Sequence, residues 1–144
     1  MEGLDIQEQN RISFDEMYMQ IADIVSKRST AIRKKVGAVL VKDDSIISYG
    51  YNGTPSGFSN ICEDENGKTK PEVLHAESNA ISKVAKTTYS SDGSTLYVTL
   101  SPCLECSKLI IQSGIVKVIF KEYYKDTSGL ELLNRAGIIF IHFK

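Results

Sequence analysis

Four residues of this 144-residue chain have the types and spacings from which a reactive centre can be built. The segment "SPCLEC" places Cys103 and Cys106 at a C-x-x-C spacing directly after Pro102. If a helix starts there, positions i and i+3 share a face and both sulfurs reach one ion. The unpaired N–H groups of a helix start also favour thiolate over thiol. Taken alone, C-x-x-C fits a redox pair, half of a four-cysteine structural zinc site, or chance. Redox chemistry leaves His75 unexplained, and a four-cysteine site fails because only Cys62 remains.

The second segment, "VLHAESNAISKVA", places His75 two residues before Glu77. One histidine and two cysteines make three protein ligands and leave the fourth tetrahedral position to water, the composition of a catalytic rather than a structural zinc site. Zinc lowers the pKa of a bound water from ~15.7 toward ~7, and a carboxylate such as Glu77 is the type of group that carries the proton onward. On a regular helix, positions i and i+2 point roughly 200° apart. The pair therefore works as one site only if the helix start is irregular, with His75 at or before the first turn. Without Cys103 and Cys106, His75 and Glu77 read as a histidine beside a surface carboxylate.

The surrounding elements must supply these positions. Over 13–29, Phe14, Met17, Ile21, Ile24 and Val25 share one helical face, with Ser13 as N-cap and Glu16 completing a capping box. "VGAVLV" (36–41) and "SIISYG" flank Lys42-Asp43-Asp44 and predict a β-hairpin. "GYNGTPSGFSN" (50–60) is a loop with demanding backbone geometry, and 61–71 is expected to be an exposed, mobile loop. A helix over 75–86, a strand over 94–100, a helix over 103–114 ending at Gly114, a strand over 115–120, a helix over 128–137 and a strand over 138–143 complete the chain. Strand–helix alternation in the second half implies right-handed crossovers and parallel pairing. The expectation is a single α/β domain over 1–144, a three-layer α-β-α sandwich, with 1–12 as a loose N-terminal segment.

Composition narrows the function. The 42% hydrophobic and 24% charged content is that of a globular protein. A formal charge of −1 provides no basic field for a nucleic-acid polymer. No apolar run approaches the roughly 18 residues of a membrane span. "MEGLDIQEQN" resembles neither a signal nor a transit peptide, which gives the expectation of a cytoplasmic, reducing setting where cysteines serve as ligands or nucleophiles.

H-x-E followed downstream by P-C-x-x-C is the pattern of zinc-dependent nucleobase deaminases. From about Phe14 to Phe143 the chain resembles the cytidine and deoxycytidylate deaminase superfamily, and within it the deoxycytidylate (dCMP) deaminases. "HAESNAI" and "SPCLECSKLIIQSGI" resemble the two zinc-motif segments of that family, "VGAVLV" and "GYNGTPSGFSN" its strand and glycine-rich loop; "KRST" and "YYKDTSGLELLNRAGI" match it too. Nucleoside deaminases generally carry Cys where His75 stands, and tRNA adenosine deaminases lack the "GYNGTPSG" run.

The resemblance implies a fold of the cytidine deaminase type, a five-stranded mixed sheet with a β-hairpin followed by parallel strands. It implies zinc on His75, Cys103 and Cys106, with Glu77 as acid–base in hydrolysis of dCMP to dUMP and ammonia. dUMP supplies dTMP synthesis, and dCTP is a second candidate substrate. Asn52 is expected at the sugar, the Ala76 backbone at the pyrimidine carbonyl, Val36 against the base, and Arg28 at the phosphate with Tyr124 and Ser101. A homohexamer regulated by dCTP with Mg2+ and by dTTP is implied, with Asn52 and Gly53 in the effector loop. Arg33, Lys34 and Lys35 read as a solvated basic turn, Tyr123 as a surface aromatic, Cys62 as unliganded and His142 as a strand histidine. The competing functions are deamination of tRNA or single-stranded DNA, and a non-catalytic zinc module.

Overall fold

The computed structural model describes residues 10–144, so the expectation for 1–12 falls largely outside the described residues. Helix α1 spans Phe14–Ser26 and is followed by the hairpin strands β1, Gly37–Lys42, and β2, Ser45–Tyr51. Then come α2 (Ala76–Val84), β3 (Thr95–Leu100), α3 (Leu104–Gln112), β4 (Lys117–Glu122), α4 (Ser128–Arg135) and β5 (Ile139–His142). The sheet runs β2-β1-β3-β4-β5. β1 pairs antiparallel with both β2 and β3, while β3–β4 and β4–β5 are parallel. This is the mixed sheet expected.

The hairpin turns on Asp43 and Asp44, whose φ values of 51° and 61° give the left-handed pair of a type I′ connection. The alternation of β1 sorts side chains between two cores. Ala38 and Leu40 join α2, α3 and α4 on one face, whereas Val39 and Val41 meet Tyr18, Met19 and Ala22 of α1 on the other. Among the described residues, one of these helices thus covers one face and three cover the opposite one, the three-layer arrangement.

Four local expectations are corrected. Ser13 caps α1 by accepting the Glu16 N–H at 3.1 Å, but the Glu16 carboxylate accepts from the Gln20 amide at 2.8 Å instead of returning to the cap. Only half of the capping box forms. The first helix ends at Ser26, and β4 starts two residues after the apolar run does. The segment 61–71 is not uniformly exposed: Cys62 and Glu63 are buried, anchored by contacts to Thr30 and to the Ile32 N–H.

The approach of α2 to the sheet depends on Gly50. A Cβ there would lie 2.6 Å from both the Ala76 carbonyl oxygen and the Ala80 nitrogen. The absent side chain lets α2 lie directly on β2. Gly50→Ala is expected to destabilise the fold by about 1–3 kcal/mol, read as a lower denaturant midpoint.

Candidate metal centre and cavity

His75 occupies the N-cap of α2 with extended backbone angles (φ −73°, ψ 159°), outside the regular helix. The irregular start required by its spacing from Glu77 is therefore present. The residue before it is clamped: Leu74 and Gly53 exchange two backbone hydrogen bonds of 2.8 and 3.1 Å. The carbonyl of His75 then accepts the Asn79 N–H at 2.9 Å, opening the helix. Cys103 plays the same part for α3. It is the N-cap (φ −73°, ψ 173°), and its sulfur accepts the Cys106 N–H at 3.5 Å.

The two helix starts converge. His75 Nδ1 lies 3.4 Å from the Cys103 Sγ and 3.3 Å from the Cys106 Sγ. With Zn–N near 2.0 Å and Zn–S near 2.3 Å, tetrahedral geometry requires an N–S separation of about 3.5 Å. The three donors fit a zinc ion, and Cys62 is outside the cluster. Without a metal, the two thiols share one proton. The hydrogen bond from the Cys106 thiol, aided by His75, holds Cys103 at about 4, and the same bond together with burial pushes Cys106 upward. The His75 pKa is raised, first by its hydrogen bond to Cys103. Metal binding displaces that proton and draws on the positive ends of both helices.

Glu77 is 4% exposed, and burial pushes its carboxyl up to about 7, against its own backbone N–H and the charge of His75. A carboxyl poised near neutrality both accepts and releases a proton at working pH. Glu77, His75 and Cys103 line a cavity of about 380 Å³, with Val36 and Leu100 as apolar walls. Ala76, Asn52, Ser101 and Tyr124 also line it, so most of the expected site residues are brought together.

Two of these have prior commitments. The Asn52 carboxamide accepts the Val36 N–H at 2.9 Å and donates to the Lys34 carbonyl at 2.8 Å, which leaves one amide hydrogen for the cavity. The Ser101 hydroxyl accepts the Tyr124 N–H at 2.7 Å. Ala76 sits in the first turn of α2, where N–H groups have no intrahelical acceptor.

Arg28 is exposed at the end of α1 and does not line the cavity, nor does Gly53. The lining cations are Arg33, Lys34 and Lys125. The sequence places the first two in a solvated basic turn and gives no separate signal for Lys125. Glu63 and Thr69, from the supposedly exposed loop, also line the cavity. Tyr123 is exposed and packs edge-on against Phe120, while His142 stacks on Phe120 and bonds to the Lys121 carbonyl, away from the metal cluster.

The metal loop is buttressed from α4. A Cβ on Gly129 would fall 2.7 Å from the Cys103 carbonyl carbon and closer still to the Pro102 oxygen. Gly129→Ala is therefore expected to shift Cys103 and weaken zinc affinity by about 10-fold, measured by competition with a chromogenic chelator. Metal analysis should find about one zinc per chain in the unmodified protein and loss of most of it in Cys106→Ser.

Residues 12–122 match the family model of the cytidine and deoxycytidylate deaminase zinc-binding region. The fold superposes with a TM-score of 0.89 on a dCMP deaminase from the cyanophage S-TIM5 solved in complex with dCMP and dUMP, at 46% identity, covering 92% of this chain and 100% of that one. The deoxycytidylate deaminase of Homo sapiens is 37% identical over 145 residues, 92% of this chain and 80% of the relative. That of Enterobacteria phage T4 is 37% identical over 163 residues, covering 83% and 84%.

Proposed function

The chain belongs to the cytidine and deoxycytidylate deaminase family, and from that membership we propose that it hydrolyses dCMP to dUMP and ammonia. The observation that carries the reading is the buried Glu77 beside a three-donor His75–Cys103–Cys106 cluster, at a cavity with cations on its exposed side. The relative bound to dCMP and dUMP supports this choice of substrate.

Zinc, when bound, supplies a water acidified toward neutral pH. The protein's own groups do the rest. Glu77 takes a proton from the attacking water and delivers it to N3 of the cytosine ring, then takes the proton of the new C4 hydroxyl and delivers it to the 4-amino group, which departs as ammonia; burial keeps its pKa near the working pH for both transfers. The free N–H of Ala76 meets the pyrimidine carbonyl, and Val36 packs on the ring. The remaining amide hydrogen of Asn52 is assigned to the sugar.

The phosphate is assigned to the exposed end of the cavity, where Arg33, Lys34 and Lys125 stand beside Tyr124. Lys34 is paired with Glu122 at 2.6 Å, but both side chains are about half exposed. Such a pair contributes ~0–1 kcal/mol, so the ammonium is readily redirected to a phosphate. Arg28 stands outside the lining and adds a peripheral positive charge. The backbone N–H of Tyr124 is held by Ser101, which fixes the start of the segment bearing Lys125.

Regulation by dCTP with Mg2+ and by dTTP is assigned to the Asn52–Gly53 loop, in a homohexamer. The Gly53–Leu74 backbone pair connects that loop to the residue preceding His75. A cytoplasmic setting suits three cysteines without a disulfide, and no helix among the described residues is long and apolar enough to cross a membrane.

Glu77→Gln preserves the side-chain volume and removes the acid–base function. The expected result is a roughly 10³-fold fall in kcat with zinc content unchanged; near-normal turnover would remove Glu77 from its role. Ammonia release should be high with dCMP and low with deoxycytidine or a single-stranded oligonucleotide, and dCTP in the same assay reads the tolerance for further phosphates.

A further inference from the structure

Glu63 is a carboxylate without an ionic partner inside a cavity whose exposed cations are Arg33, Lys34 and Lys125. It is 7% exposed. Among the described residues it forms no salt bridge, and its one hydrogen bond is from the Ile32 N–H to Oε2 at 2.9 Å. A carboxylate has roughly four lone-pair sites on two oxygens. Among the described residues Oε1 has no donor, and unlike the Ser107 hydroxyl it is not sealed from solvent, so it is open to a ligand's hydrogen bond.

The side chain is also held in place. Glu63 bridges Thr69 across a short antiparallel pair, flanked by bonds of 2.8 Å from Lys70 N–H to the Cys62 carbonyl and 2.7 Å from Asp64 N–H to the Lys68 carbonyl. Thr30 ties in the preceding turn through the Asn60 carbonyl. Glu63 is thus a fixed acceptor on the cavity wall, placed there by a loop rather than by either helix bearing the metal ligands.

The donors available on the substrate are few. A deoxycytidine monophosphate offers the 4-amino group, which must face the metal cluster, and the 3′-hydroxyl; its phosphate dianion has no hydrogen to give. We propose that Glu63 accepts the hydrogen bond of the deoxyribose 3′-hydroxyl and so makes the cavity select nucleotides with a free 3′ end. This rests on the dCMP reading above. It also gives a physical reason for rejecting an internal nucleotide of a polymer, whose 3′-oxygen is esterified and has no proton for the carboxylate.

The test compares dUMP with 2′,3′-dideoxyuridine monophosphate by isothermal calorimetry on the zinc-loaded protein, alongside turnover of dCMP. A site built around a hydroxyl rejects the analogue lacking it, because its own polar group is left unpaired. The unmodified protein should bind the dideoxy analogue at least ~10-fold more weakly than dUMP. In Glu63→Gln, the amide oxygen keeps the Ile32 N–H, and the discrimination should shrink to less than about 3-fold through weaker dUMP binding. Equal binding of the two ligands by the unmodified protein, which requires no variant, would overturn the assignment; so would undiminished discrimination in Glu63→Gln. Discrimination without turnover of dCMP would remove the proposed reaction and leave the 3′-hydroxyl contact standing.

Discussion

The metal centre rests on one constraint: two helices must begin at the same point, each with a ligand in place of an ordinary cap. His75 and Cys103 occupy N-cap positions with extended backbone; the Cys103 sulfur accepts the Cys106 N–H, whereas the His75 ring makes no capping bond and faces the two sulfurs. Cys106 follows one turn later and completes the cluster. The positive ends of α2 and α3 both bear on thiolates and on whatever anionic oxygen joins them. This convergence also explains Glu77. Two residues past the cap, it is directed inward beside the ligands and buried, and that burial sets its proton affinity.

Convergence imposes requirements on parts of the chain that touch no substrate. α2 can lie close to β2 only because Gly50 has no side chain, and α4 can press on the Pro102–Cys103 backbone only because Gly129 has none. Asn52 performs a related task on the cavity wall. Its carboxamide ties the Lys34 carbonyl and the Val36 N–H, its own N–H donates to the Val36 carbonyl, and Ser29 donates to the Asn52 carbonyl at 2.7 Å. A segment leading into β1 thereby becomes a rigid side of the cavity, with Val36 directed inward.

The reactive centre was legible because its signals are local in type and position: a cysteine pair after a proline at a strand–helix junction, and a histidine too near its glutamate for a regular helix. The two apolar runs on either side of the Lys42-Asp43-Asp44 turn made the hairpin equally readable. What stayed hidden depends on contacts between distant segments. Nothing near Glu63 marks it as buried; its polar neighbours suggest the opposite, and only the amide of Ile32 and the Thr30 hydroxyl bring that loop inward. Arg28, in "KRST", is expected at the phosphate and Arg33, in a basic turn, in solvent, yet Arg33 lines the cavity and Arg28 does not. Between them the Ser29 hydroxyl ties the chain to the Asn52 carbonyl, a contact between distant segments that the local sequence does not show. The half-formed capping box has the same origin in competition, since Gln20 one turn along claims the Glu16 carboxylate.

The Gly53–Leu74 backbone pair has an evolutionary consequence. It closes residues 54–73 into an excursion whose two ends are fixed to each other immediately before the metal-ligating histidine. Lengthening a loop whose ends are already joined costs only ~0.6 kcal/mol per doubling. Insertions or wholesale exchange between these two residues would leave the ligand geometry undisturbed. Because Glu63, Thr69 and Val73 enter the cavity from within that excursion, it behaves as an interchangeable cassette: selectivity can diverge among descendants of this scaffold while the hydrolytic apparatus is inherited intact.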